Sequence, residues 1–157
     1  MRKTSTLAKA LFAGASACAG AAISAGALSL AAAKPAPPIS YFDSARVTAA
    51  FAKGMPLIEE GNYKVHASRR EAPGQAEVHE ADTDIIYMLE GSATLVTGGT
   101  VVEGKSTAAE EIRGASIQGG ETRTLSRGDV LIVPRGTPHW FKAVQGPVLY
   151  YVVKVRG

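Results

Sequence analysis

Short apolar runs separated by turn residues make up most of the chain from residue 57 onwards. Val, Ile, Leu and Tyr are frequent in the runs, and Gly, Pro, Asn and Asp recur between them. Short strands with regularly spaced turns are typical of an all-β sandwich or barrel. The predicted strands span residues 57–60, 63–70, 75–79, 84–91, 92–97, 122–125, 130–134, 139–144 and 148–155.

Two segments depart from this strand pattern. Residues 43–54 (DSARVTAAFAKG) predict a short helix that Asp43 or Ser44 caps and Gly54 ends. Residues 100–120 are polar, rich in Gly, Thr and Glu, and show no clear period. We expect an inserted loop or hairpin there that joins no core, and its length and polarity suggest a lid over a cavity.

The N-terminal segment has the composition of an export signal. Basic residues are followed by an Ala/Gly/Ser/Leu-rich stretch, and residues 31–33 are all alanine. This order predicts a signal peptide over residues 1–33, cleaved near Ala33, and export to a bacterial periplasm. The stretch is too poor in large apolar residues to be a stable membrane anchor. Residues 34–56 then form a Pro-rich linker and the short helix, followed by the barrel over residues 57–157.

Cleavage of this signal changes the charge and the thiol chemistry of the protein. The chain carries a formal charge of +3, but Arg2, Lys3 and Lys9 leave with the signal, so the mature protein is formally neutral. A neutral domain gives no support for nucleic-acid binding. The single cysteine, Cys18, also leaves. Its alternative role is lipid attachment, although Ala15 stands where such sites usually have a large aliphatic residue.

Two stretches carry side chains suited to metal binding. Glu77 and His79 share one face of a strand, and Asp84 opens the next strand, where a buried carboxylate needs a partner such as a cation. In the stretch GDVLIVPRGTPHWFK, residues 128–142, a rigid turn precedes His139. Imidazole and carboxylate ligands together suit Zn²⁺, Mn²⁺, Fe²⁺ or Ni²⁺.

The spacing of these residues resembles the two motifs of the cupin family. The first motif, G-x5-H-x-H-x(3 or 4)-E-x6-G, aligns with four residues: Glu77, His79, Asp84 and Gly91. The second motif, G-x5-P-x-G-x2-H-x3-N, aligns with four more: Gly128, Pro134, Gly136 and His139. The chain departs from the motifs at four positions, where it has Glu71 for Gly, Glu77 for His, Asp84 for Glu and Ala143 for Asn.

The resemblance implies a single-domain double-stranded β-helix, also called a jelly-roll barrel, and a homodimer. It implies one divalent metal held by His79, Asp84 and His139, with Glu77 as a fourth ligand or a general base. Met88 and Phe141 are expected as cavity walls because they share the faces of the ligands. A small organic molecule is the expected ligand of the cavity.

Each residue also has an ordinary structural interpretation. His79 can pair with Glu77 or Glu80, His139 can be a core histidine, and Asp84 can be a turn residue. His66 is expected to face solvent or the cavity mouth. Arg69 and Arg70 can attract an acidic substrate or form a solvated strand end. Five aromatic residues are expected in the core or in a dimer contact: Tyr87, Trp140, Phe141, Tyr150 and Tyr151.

The sequence therefore favours an exported cupin that binds a metal and a small organic ligand. One alternative is a metal-dependent enzyme of dioxygenase, isomerase or lyase type, acting on a small oxygenated or carboxylated substrate. Another alternative is a cupin whose site no longer binds metal. A fold of this kind hosts many chemistries, so the sequence does not choose between them.

Overall fold

The computed structural model describes residues 36–157, so the predicted signal peptide and Cys18 lie outside the described residues. One helix and eleven strands are found in the described part. They are α1 (Ser44–Lys53), β1 (Met55–Glu59), β2 (Tyr63–Arg70), β3 (Ala76–His79), β4 (Asp82–Thr97), β5 (Thr100–Val102), β6 (Lys105–Ala108), β7 (Glu111–Gly114), β8 (Ser116–Gln118), β9 (Glu121–Ser126), β10 (Val130–Val133) and β11 (His139–Arg156).

The predicted helix is confirmed, including both of its ends. The side chain of Asp43 accepts a hydrogen bond of 2.8 Å from the backbone N–H of Arg46, which satisfies one free donor of the first turn. Gly54 ends the helix in the left-handed conformation. Ala50 and Phe51 are buried in a small cluster that also includes Ala67 of β2. This packing places α1 against the sheet.

Two long antiparallel strands, β4 and β11, organise the sheet. β11 pairs with β2, β3 and β4, while β4 also pairs with β9 and β10. The sequence predicted two separate strands in place of each, divided at Gly91 and at Gly146-Pro147. Each is instead continuous in the structure, with irregular register between Gln145 and Tyr150. Gly91 has a φ of +77°, and a Cβ there would lie 2.5 Å from the Pro147 carbonyl oxygen, so only glycine fits.

The all-β jelly-roll prediction is confirmed for the described residues. Nine strands form one sheet, and β5 and β8 form a second, two-stranded sheet. The main core is made of ten buried residues: Ile86, Met88, Ala93, Leu95, Leu125, Val133, Phe141, Val148, Tyr150 and Val152. Four of them, Ile86, Phe141, Tyr150 and Val152, also line a cavity of about 260 Å³. The core therefore forms the apolar side of that cavity.

The expectation that residues 100–120 join no core is wrong. This segment forms β5 to β8, and β7 pairs along its whole length with β3. Ile117 is buried in a cluster with Ala76 and Val96. Strands of three or four residues are too short to show a period, which is why the sequence pattern missed them. The β6–β7 hairpin extends the sheet beside the site.

The outer face of β4 is less buried than its apolar sequence indicated. Tyr87 is 43% exposed, so it is not a core residue, and Val130 and Ile132 on the neighbouring β10 are each 60% exposed. The homodimer that could cover this face stays a prediction. Among residues 36–157, no helix has the length and apolar character needed to cross a bilayer.

Candidate metal centre

A cavity of about 260 Å³ lies between the strands that carry the two motifs. Because side chains alternate along a strand, each strand contributes every second residue to it. The polar lining comes from five strands and one loop residue: His66, Ser68, Arg70, Gln75, Glu77, His79, Asp84, Glu111, Arg113, His139 and Lys154. Both motif histidines are in this lining, although they are 60 residues apart in the chain.

The two histidines face each other across a cross-strand contact. Their ring centroids are 5.0 Å apart, and each residue is 5% exposed. His139 is directly opposite Glu77 in the register of β11 and β3. The turn before His139 is fixed to β3, because the Gly136 N–H donates to the His79 carbonyl oxygen at 2.8 Å. Strand pairing and this backbone hydrogen bond therefore fix the positions of both imidazoles.

Hydrogen bonds at Nδ1 leave the Nε2 atoms available as ligands. Nδ1 of His79 donates to Glu111 Oε1 at 2.6 Å, and Nδ1 of His139 donates to the Thr137 carbonyl oxygen at 3.2 Å. An acceptor at Nδ1 selects the neutral tautomer whose lone pair is on Nε2. His79 Nε2 is buried and has no hydrogen-bond partner among the described residues. An unpartnered buried nitrogen of this kind fits a metal ligand.

Two carboxylates lie beside the His79 imidazole. His79 Nε2 is 3.6 Å from Glu77 Oε2 and 3.4 Å from Asp84 Oδ2. Glu77, His79 and His139 each offer a ligand atom, and these atoms all lie within 4.8 Å of one another. Donors bound at ~2.1 Å to one ion are ~3.0–3.5 Å apart, so a small adjustment brings this set around a metal. The residues present therefore fit a divalent ion.

Asp84 has a second partner, which the sequence did not predict. Lys154 Nζ donates to both carboxylate oxygens of Asp84, at 2.7 and 2.9 Å, and the two residues are directly opposite in the β4–β11 register. Asp84 Oδ2 is also 3.9 Å from His139 Nε2. The structure thus places Asp84 beside both imidazoles, but its charge is already balanced by a lysine. The role of Asp84 as a ligand stays a prediction.

The segment expected to be a lid supplies two residues of the site that sequence reasoning missed. Arg113 Nη1 forms an ion pair with Glu77 Oε1 at 2.8 Å, and Glu111 is hydrogen-bonded to His79 as described above. Both contacts are cross-strand pairs between β3 and β7. The alternation in EIRG, residues 111–114, matches the alternation of Glu77 and His79. This matching two-residue spacing is the sequence signal from which the β3–β7 pairing could have been predicted.

Burial and the charges around the site together shift three pKa values. Burial opposes protonation of His79, but the interaction with the Asp84 carboxylate outweighs it, so the pKa of His79 is raised above 6.5. Burial likewise opposes ionisation of Asp84, but His79 and Lys154 hold the pKa of Asp84 below its ordinary value. Burial lowers the pKa of His139. In the metal-free protein, the Nε2 position of His79 therefore favours a cation, either a proton or a metal.

The other predicted residues are divided between the cavity and its surroundings. Phe141 lines the cavity, whereas Met88 does not, because it packs in the main core and Ile86 takes the wall position. His66 lines the cavity, and its Nε2 is 3.0 Å from Glu59 Oε1. Trp140 points away from the site, and its Nε1 donates to the Gly74 carbonyl oxygen at 2.7 Å.

Comparison with known proteins decides the family. A profile of the cupin family matches residues 31–156. The chain is a cupin. A search of curated proteins found no significant match for this cupin. Its cupin assignment agrees with the motif spacing, and cupins commonly bind a metal, for which the Glu77, His79 and His139 group is suited.

Solved structures show the same fold at low sequence identity. A protein from Bacillus halodurans superposes with a TM-score of 0.53 and 11% identity, covering 76% of this cupin and 83% of that chain. Hydroquinone 1,2-dioxygenase from Sphingomonas sp. TTNP3 superposes with a TM-score of 0.50 and 15% identity, covering 67% of this cupin and 66% of that chain. Likeness at this level establishes the fold alone.

Proposed function

We propose that this cupin is exported and binds one divalent metal, with a small organic ligand beside it in the cavity. The observation that carries the proposal is the convergence of two imidazole Nε2 atoms whose Nδ1 atoms are both hydrogen-bonded. Glu77, His79 and His139 would hold the metal, and Asp84 is the nearest further carboxylate. The donor set suits Mn²⁺, Fe²⁺, Zn²⁺ or Ni²⁺.

The surrounding residues support this binding role. Glu111 fixes the ring orientation of His79, and Arg113 holds one oxygen of Glu77, which leaves the other oxygen towards the imidazoles. Lys154 keeps Asp84 ionised. A bound metal would act as a Lewis acid on an oxygen atom of the ligand. Glu77 would serve as a ligand, or as a general base if the metal leaves it free.

A second candidate is a metal-dependent enzyme of dioxygenase, isomerase or lyase type. Three protein ligands leave coordination positions open, which suits a reacting ligand. The similar Sphingomonas structure is a dioxygenase with 4-hydroxybenzoate bound, which is consistent with small-molecule chemistry in this fold. Turnover of oxygenated or carboxylated compounds by metal-loaded protein would favour the enzyme, and tight binding without turnover would favour the binding protein.

A third candidate is a cupin that no longer binds metal. Its support is Lys154, which already provides the cation that Asp84 needs. Under this alternative the raised pKa of His79 favours a proton, rather than a metal, at Nε2. Purified protein would then carry no stoichiometric metal and would not take one up.

Elemental analysis of three purified proteins tests the proposal. We expect about one metal ion per chain in the wild type, a loss of about tenfold or more in His139→Ala, and the wild-type content in His66→Ala. His66 is the matched control because it also lines the cavity but is bonded to Glu59 outside the donor set. Equal metal content in His139→Ala and wild type would reject the site.

Export and dimerisation are tested separately. N-terminal sequencing of the protein from a periplasmic fraction should begin near Lys34, and cytoplasmic retention of the full chain would contradict export. Sedimentation analysis of the mature protein should give a dimer, and a monomer at all concentrations would contradict that expectation.

A further inference from the structure

Arg70 is a cationic cavity residue without an anionic partner. It lies on β2, two residues from Ser68 and four from His66, so all three share the face that lines the cavity. The Arg70 side chain makes no ion pair within residues 36–157, and its Nε is buried without a hydrogen-bond partner. A buried polar nitrogen left unpaired is costly unless something binds it.

The other basic side chains of the cavity outside the metal centre already have acidic partners. Arg113 pairs with Glu77, Lys154 pairs with Asp84, and His66 is bonded to Glu59. The neighbouring Arg69 is on the opposite face of β2, and its Nε donates to Glu71 Oε1 at 2.9 Å. Among the described residues, Arg70 is therefore the cationic side chain of the cavity whose charge has no acidic partner and whose Nε has no hydrogen-bond acceptor.

The position of the Arg70 guanidinium is fixed by packing. Its Cζ lies 4.7 Å from the centre of the Phe141 ring, in a cation–π contact, and Phe141 in turn stacks on Tyr150 at 5.2 Å. A Cβ at position 74 would lie 2.4 Å from Arg70 Nη1, so Gly74 leaves the space that the guanidinium fills. Phe141 is also two residues from His139 on the same face of β11, about 6.7 Å along the strand.

We propose that Arg70 binds a carboxylate of the cavity ligand while a second oxygen group of the same ligand reaches the metal centre. This inference rests on the proposed function. It identifies the cavity ligand as a small carboxylic acid that has a second oxygen-containing group at its other end. One guanidinium presents two parallel N–H donors that match one carboxylate in geometry and in charge. A phosphate dianion would require more unpaired positive charge than Arg70 supplies.

The test is calorimetric titration of succinate and glutarate into Mn²⁺-loaded wild type, Arg70→Gln and Arg69→Gln. We expect wild type and Arg69→Gln to bind with affinities within about twofold of each other, and Arg70→Gln to bind roughly tenfold or more weakly. Arg69→Gln is the matched control because it makes the same charge change one residue away. Succinamide, which has the length of succinate without its charge, should bind wild type roughly tenfold more weakly or not at all.

Metal content and thermal unfolding measured on the same samples separate the possible failures. If the purified wild type takes up no metal but still binds dicarboxylates through Arg70, the carboxylate site is supported and the metal proposal is contradicted. Normal metal content with no dicarboxylate binding, or with equal binding by folded Arg70→Gln, would overturn the role of Arg70 and leave the metal centre standing. Stronger binding of inorganic phosphate than of either dicarboxylate would also overturn the assignment.

Discussion

Asp84 and Met88 lie four residues apart on the same face of β4, and they are almost equally buried, with 4% and 1% of their surface exposed. Met88 belongs to the apolar core, where burial itself is favourable. Asp84 belongs to the acidic and imidazole cluster, where burial is unfavourable and is offset by Lys154 and His79. One strand therefore contributes both to the stabilising core and to a cluster that costs stability.

The difference indicates which half of the cavity is shaped for binding. An apolar cluster in place of the charged one would fill the barrel without desolvating carboxylates or leaving His79 Nε2 unpartnered. The charged cluster is better explained by a ligand that the apolar half does not bind. Substitutions in the core should therefore change stability but not metal binding, whereas substitutions in the cluster should change binding and, where they break an ion pair, stability as well.

The largest effect on stability is expected from the core. Leu95 is 0% exposed, so Leu95→Ala should lower the free energy of unfolding by about 2–5 kcal/mol through lost burial and the cavity it leaves. Urea denaturation of metal-free protein measures this change. The folded mutant should still take up metal at the wild-type ratio. If the folded mutant loses metal, the core and the metal site are not independent and the comparison fails.

The next effect is expected from the buried ion pair. Asp84→Asn leaves Lys154, whose side chain is 14% exposed, without its anion, and should destabilise the protein by about 3 kcal/mol. Asp84→Asn/Lys154→Met should recover part of this loss because the unpaired charge is removed. If the double variant is no more stable than the single one in urea denaturation, the pair is not the cause.

A smaller effect is expected where a residue acts on the metal through His79. Glu111→Gln weakens the hydrogen bond to Nδ1, so metal affinity should fall about tenfold to a hundredfold. Competition with a chelator measures this affinity. Glu110→Gln is the matched control, because Glu110 is exposed and bonds Arg156 rather than a histidine. Equal affinities in the two variants would contradict the role of Glu111.

The smallest effect is expected from pH. The pKa of His79 is raised above 6.5, so a metal must displace a proton below that raised pKa, and affinity should fall about tenfold per unit of pH there. In metal-free protein the same shift adds stability that is complete below 6.5 and is lost as the pH rises through the raised pKa. Affinity that is constant as the pH falls through this range would contradict His79 as a ligand.

The sequence predicted the parts of this molecule that depend on local signals. The capped helix after Asp43 follows from its own residues. The two motif histidines were predicted from the turn before His139 and from the spacing of Glu77 and His79. Both signals are local, because a rigid turn and strand alternation each involve only a few neighbouring residues. The family resemblance supplied the fold that brings them together.

The remaining parts depend on pairing between distant strands, which local patterns do not encode. Lys154 meets Asp84 across 70 residues of sequence, and Glu111 meets His79 across 32. The strands of residues 100–120 are also too short to show their alternation. Local patterns can also overestimate burial, since Tyr87 lies in an apolar run and is nevertheless 43% exposed.

The most direct test of the central claim is a crystal structure of metal-loaded mature protein with diffraction data collected at the absorption edge of the metal. We predict one anomalous peak in the cavity, about 2.0–2.2 Å from both His79 Nε2 and His139 Nε2, with Glu77 as a further ligand. A peak bound elsewhere, or loaded crystals with no peak between the two imidazoles, would contradict the account.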